Sequence, residues 1–154
     1  MSGGRSAGLL LFRRKGPGVE VLLGHMGGPF FARREAGAWT VPKGEYEADE
    51  PAWDAARREF REELGLRPPD GRALALGEVR QAGGKTVTVW AVEADLDPAA
   101  VVPGTFSMQW PPRSGRLREF PELDRVEWMT PERARTLIVR AQAAFLDRLL
   151  EHSG

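Results

Sequence analysis

The chain contains no cysteine and no asparagine, a single tyrosine, and lysine only at positions 15, 43 and 85. Without cysteine there can be no disulfide, no thiolate nucleophile and no cysteine-ligated zinc. The same lack fits a reducing compartment, so a cytoplasmic location is the expectation. Arginine supplies nearly all of the basic charge, a bias that suits either a GC-rich genome or heat tolerance. Long apolar runs are also missing. The opening stretch MSGGRSAGLLLFRRK has an apolar core of only about six residues, too few for a signal-peptide core and far short of a membrane span. Net charge is absent too, since 22 basic residues balance 22 acidic ones. No global field then draws the chain to duplex nucleic acid or to an anionic membrane. The expected partner is a small molecule.

A length of 154 residues suits one domain spanning 1–154, with a core of two or three layers. Residues 7–12 and 19–25 are apolar and β-prone, and the turn Gly16-Pro17-Gly18 between them predicts a hairpin. A loop rich in glycine, arginine and aromatics covers 26–38, and a short strand follows at 39–41. Residues 73–80 and 86–94 predict two strands around Ala82-Gly83-Gly84, and residues 95–118 read as irregular, with a strand near 106–110. A last strand is expected at 126–129 and helices at 131–137 and 142–150. This order predicts an α/β fold in which one mixed sheet lies between helices. Gly83-Gly84-Lys85-Thr86 looks like the end of a P-loop, but the earlier glycine that such a loop needs is Val79 here.

The densest information lies in residues 44–66, GEYEADEPAWDAARREFREELGL. Asp49-Glu50-Pro51 suits a helix start, and Gly65 followed by Pro68-Pro69 suits its end. On that helix Glu59, Glu62 and Glu63 stand at i, i+3 and i+4, one stripe of like charge. Ala56, Trp53, Phe60 and Leu64 fall on the neighbouring arc, so one side is expected to bury while the carboxylates line a cleft. Two readings of the stripe are open. It is either a solvated acidic face balanced by Arg57, Arg58 and Arg61, or a binding edge for a hard cation that prefers carboxylate oxygens.

Gly44, Glu50, Arg58, Glu59, Phe60, Glu62, Glu63, Gly65 and Leu66 resemble, position for position, the signature of the Nudix hydrolases: Gly, five residues, Glu, seven residues, Arg-Glu-apolar-x-Glu-Glu-x-Gly-apolar. The resemblance implies an α/β/α sandwich and divalent-metal-dependent cleavage of a pyrophosphate in a nucleoside diphosphate linked to another group. It implies Mg²⁺ or Mn²⁺ as cofactor, with Glu59, Glu62 and Glu63 as ligands together with a main-chain carbonyl of Lys43 or Gly44. Glu50 and Arg58 carry over as partners that fix the loop and orient the carboxylates. Water attacks phosphorus in line, and the base is either a motif glutamate or one from a distant loop. Glu119 is the first candidate for that distant residue and Glu122 the second. Relatives are commonly homodimers.

Substrate features are sparser. Pro42-Lys43-Gly44 resembles the entry to the motif in Nudix enzymes that act on dinucleoside polyphosphates. The tyrosine often found after the motif in that branch has no counterpart, because Tyr46 lies inside the motif. Lys43, Arg34 and Lys85 are candidate phosphate contacts, and Phe31 and Trp110 candidate stacking partners for a base. A second class of function is a Nudix domain that binds a nucleotide as a sensor without cleaving it. Such domains have generally lost motif glutamates, and this chain keeps all of them.

Overall fold

In the computed structural model, which describes residues 4–153, β1 (Arg5–Lys15) and β2 (Gly18–Met26) form the expected antiparallel hairpin. Alternation along β1 sends Ala7, Leu9 and Leu11 to one face of the sheet and Leu10 and Phe12 to the other, and all five are buried. A strand covered on both faces reads as a continuous apolar run, which is why Gly8-Leu9-Leu10-Leu11-Phe12 shows no polar alternation. Two short strands follow, β3 (Trp39–Thr40) and β4 (Lys43–Glu45), then helix α1 (Ala52–Leu64). β5 (Ala73–Arg80) and β6 (Thr86–Glu93) pair antiparallel around a 3₁₀ turn at Ala82–Gly84, so the segment with P-loop likeness is a hairpin connection.

β6 runs parallel to β1 over eight registered pairs, from Arg5 opposite Thr86 to Phe12 opposite Glu93. The main sheet has the order β3-β2-β1-β6-β5; β4 adds to β1, and β9 (Leu123–Met129) adds to β2. One parallel pair among antiparallel ones makes it mixed, as predicted. Ala55, Ala56, Phe60 and Leu64 of α1 pack on the face that carries Leu9 and Leu11. Helices α2 (Pro131–Leu137) and α3 (Ala143–Ser153) cover the opposite face, with Phe145, Leu146 and Leu149 against Leu10, Phe12, Val21 and Leu23. The result is an α/β/α sandwich. No helix among the described residues is long and apolar enough to cross a membrane.

Three local features differ from the sequence expectation. Lys43–Glu45 forms a strand beyond the one expected at 39–41, paired with Ser6, Ala7 and Gly8 of β1. Residues 95–118 are less irregular than expected. β7 (Thr105–Gln109) pairs with a strand the sequence did not suggest, β8 (Leu117–Pro121), to form a separate two-stranded ribbon. Asp49-Glu50-Pro51, the expected helix start, lies just outside α1, with Pro51 as its N-cap. The C-terminus of α1 is as predicted. Gly65 takes the left-handed conformation (φ 66°), and its N–H donates to the Arg61 carbonyl at 2.7 Å.

Candidate active site

Helix α1 places the three motif carboxylates at graded depth. Its apolar arc faces the sheet, so residues flanking that arc are drawn partly inward. Glu59 is 7% exposed and Glu63 9%, whereas the Glu62 side chain stays open to solvent. Glu59 fits there because Gly44 has no side chain: a Cβ at Gly44 would lie 1.8 Å from Glu59 Oε1. The pairing of β4 with β1 holds Gly44 in that position, opposite Ala7. A motif glycine and a motif glutamate, fifteen positions apart, are thereby complementary surfaces.

Arg58 organises the outer side of the stripe. Its Nε and Nη2 donate to the two carboxylate oxygens of Glu50, at 2.9 and 2.8 Å, a bidentate clamp. Its Nη1 donates to Glu59 at 2.6 Å and to Glu62 at 3.2 Å. The clamp holds the Glu50 carboxyl below the usual range and raises Arg58 above its own. Glu50 thus orients Arg58, and Arg58 orients two carboxylates.

Those groups open onto a cleft of about 720 Å³, lined among others by Lys43, Gly44, Glu59, Glu62, Glu63, Lys85 and Glu122. Its electrostatics are under tension. Burial, followed by repulsion from Glu122 and Glu59, pushes the Glu63 carboxyl from 4.5 up to about 8. Burial also raises Glu59 and Glu122, while burial and the nearby Lys85 lower Lys43. Such a donor set, all oxygen and short of compensating charge at its buried end, suits a hard divalent cation. Among the described residues no three acidic side chains already converge on one point. Arg58 supplies the compensation for Glu59 and Glu62.

The cleft brings together Lys43, Gly44, Glu59, Glu62, Glu63 and Lys85 of the residues singled out from the sequence. Glu122, the second choice for a distant carboxylate, lines it as well. Its backbone is pinned from two directions: its N–H donates to the Gly104 carbonyl at 2.8 Å, and its carbonyl accepts from Gly27 N–H at 3.0 Å. Glu119, the first choice, does not line the cleft. It stands exposed on β8, within 3.4 Å of the Thr105 hydroxyl, because strand pairing sets it opposite Ser107 on the ribbon.

Phe31 and Arg34 of the 26–38 loop, and Trp110 of the later segment, also lie off the cleft. Arg34 sits 5.7 Å from the Phe31 ring, and Trp110 packs edge-to-face on Phe30 at 5.6 Å. Local interactions bind these groups to one another. Ser6, Gly104 and Thr105 line the cleft without any signal in the sequence, since strand pairing delivers Ser6 and Thr105 and the Glu122 N–H holds the Gly104 carbonyl.

The sequence profile of the NUDIX domain matches residues 3–149. No curated protein matches the chain. Among solved structures, an Ap4A hydrolase of C. elegans in a binary complex is similar, with a TM-score of 0.69 and 22% identity over 97% of each chain. The NUDIX domain of Shewanella oneidensis NrtR, complexed with ADP ribose, has a TM-score of 0.66 and 14% identity over 100% of this chain and 90% of that one. A mutT/nudix family protein of Listeria innocua has a TM-score of 0.64 and 17% identity, covering 99% and 95%. At these identities the likeness is one of fold.

Proposed function

Because this chain belongs to the Nudix family and is a pyrophosphohydrolase of it, we propose that it hydrolyses a dinucleoside polyphosphate or a nucleoside triphosphate, with Mg²⁺ or Mn²⁺ as cofactor. Nudix hydrolases generally use divalent metals. The observation that carries the reading is that Glu59, Glu62, Glu63 and Glu122 line one cleft together with Lys43 and Lys85. Glu59, Glu62 and Glu63 would hold the cation, beside the main chain at Lys43 and Gly44. When bound, it supplies positive charge to the phosphate oxygens.

The chain's own groups account for the remaining work. Lys43 and Lys85, on the wall next to the carboxylates, attract and orient the phosphate chain as point charges. Glu122 takes the proton of the attacking water on its carboxylate, and its raised pKa brings it closer to the range where a general base is effective. Arg58 keeps Glu59 and Glu62 in register while Glu50 keeps Arg58 in place. We take the chain as one domain on the same grounds, since one sheet joins β1 to β6 with β9, the β7–β8 ribbon being separate from it.

A release assay with Mg²⁺ and Mn²⁺ over diadenosine polyphosphates, nucleoside triphosphates, ADP-ribose and sugar nucleotides tests the reading. Glu62→Gln should remove metal-dependent turnover while thermal melting stays near wild type, because Glu62 is exposed. Tight binding of one nucleotide by wild type, without turnover of any, would instead establish a sensor.

A further inference from the structure

The outer flank of α1 carries a second concavity, of about 590 Å³, lined by Arg57, Arg58, Arg61, Glu62, Arg67 and Pro68. Glu62 also lines the acidic cleft, so the two depressions share a wall. Arg58 is committed to Glu50, Glu59 and Glu62. The other three arginines are not used by the hydrolytic site. Arg57 is held in place rather than free to swing: it donates to the Pro69 carbonyl and to Asp70, both at 3.0 Å, and lies 5.6 Å from the Trp53 ring. Arg67 touches the same Asp70 at 3.5 Å, so one carboxylate serves two guanidinium groups. Arg57 and Arg61 are also i, i+4 neighbours of like charge, a costly spacing on a helix. Near its C-terminus the α1 dipole favours cations, which offsets part of that cost but does not account for a concave set of arginines in which Arg57 is held in place. Guanidinium forks match phosphate oxygens in geometry.

We propose that this groove is a subsite for the distal part of a polyphosphate chain, with Arg57, Arg61 and Arg67 as its phosphate contacts. The inference rests on the neighbouring cleft being the hydrolytic site. A chain of phosphates lying in the cleft continues past Glu62 into the arginine groove, and longer chains gain contacts that a nucleoside triphosphate does not reach. The groove therefore sets a preference for chain length, while the cleft performs the hydrolysis.

Kinetics of Arg61→Ala/Arg67→Ala against wild type test the proposal, with diadenosine tetraphosphate and pentaphosphate set beside ATP. KM for the longer substrates should rise about ten-fold or more, as expected for loss of charge-assisted phosphate contacts, with kcat little changed and a much smaller effect on ATP. Calorimetric titration with inorganic tripolyphosphate, without metal, gives a readout independent of turnover. Wild type should bind it and the double variant should bind it at least about ten-fold more weakly. If no nucleotide is turned over but tripolyphosphate binding still depends on these arginines, the hydrolytic reading falls, the groove's part in chain-length preference falls with it, and only its binding of a phosphate chain stands. Equal tripolyphosphate binding by both proteins overturns the proposal. So does equal, arginine-dependent binding of a 5′-triphosphate and a 5′-hydroxyl RNA, which would make the groove a nucleic-acid backbone site.

Discussion

Glu59 and Gly44 show how closely the site is built at the level of single residues. Any side chain at 44 would meet the Glu59 carboxylate, so Gly44→Ala has to drive Glu59 out of its buried position. Metal-dependent activity should then fall about 10–100-fold, the usual effect of disturbing the surroundings of a metal ligand; activity within two-fold of wild type would argue against this coupling. Glu63 gives a pH prediction with a definite sign. Its folded-state pKa of about 8 lies above the ordinary 4.5, so between those values the folded chain holds a proton that the unfolded chain has released. Stability from this group is complete below that window and is lost as pH rises through it. In EDTA, wild type should lose more melting temperature than Glu63→Gln between pH 4.5 and pH 8. Parallel slopes for the two proteins would refute it.

Helix α1 is the element on which fold and chemistry meet. Its apolar arc anchors it, and its carboxylate edge is useful only while the anchor holds. Phe60 is fully buried against Ala7, Leu9 and Leu11, so Phe60→Ala should cost about 3–5 kcal/mol in a denaturant titration. Much of this element was legible beforehand. The 3.6-residue spacing located its buried arc and its acidic stripe, and Gly65 marked its end. β4 and β8 were not legible, for a common reason. A three-residue strand after Pro42 and a five-residue strand in the Arg- and Pro-rich segment show no alternation of their own; backbone pairing with Ser6–Gly8 and with β7 creates them.

At the scale of the molecule, buried polar ties hold distant segments together. Gln142, fully buried just before α3, donates to Gln81 at 2.8 Å and to Thr40 at 2.9 Å, and accepts the Val41 N–H at 2.9 Å. One side chain thus joins a helix, the β5–β6 hairpin and the strand that leads to Lys43. Gln142→Ala leaves buried polar partners unsatisfied and should cost about 1–3 kcal/mol or more by chemical denaturation. A change below about 0.5 kcal/mol, the level of an ordinary surface substitution, would remove the tie from the account. His25, also fully buried, links β2 to Asp124 at 2.8 Å and to the Arg34 carbonyl at 2.6 Å, which fixes the 26–38 loop against β9. That tie is part of why Arg34 and Phe31 serve the loop rather than the cleft.

The sequence by itself determined the family and the reaction class, and it set three carboxylates on one helix stripe. These depend on residue type at short, fixed spacings along one helix, and helical geometry converts such spacings into positions without reference to the remaining chain. It also predicted the mixed sheet, because apolar runs and turn residues are local signals. Only the tertiary structure decided which distant groups share the cleft. Glu122 rather than Glu119 reaches it because strand pairing sets Glu119 on the ribbon, while hydrogen bonds to Gly27 and Gly104 hold Glu122 at the rim. Lys43 and Lys85, 42 positions apart in the chain, are joined by β4 and β6 pairing with the same strand, β1. Pairing of this kind is a long-range match of backbones, and no stretch of residues encodes it alone.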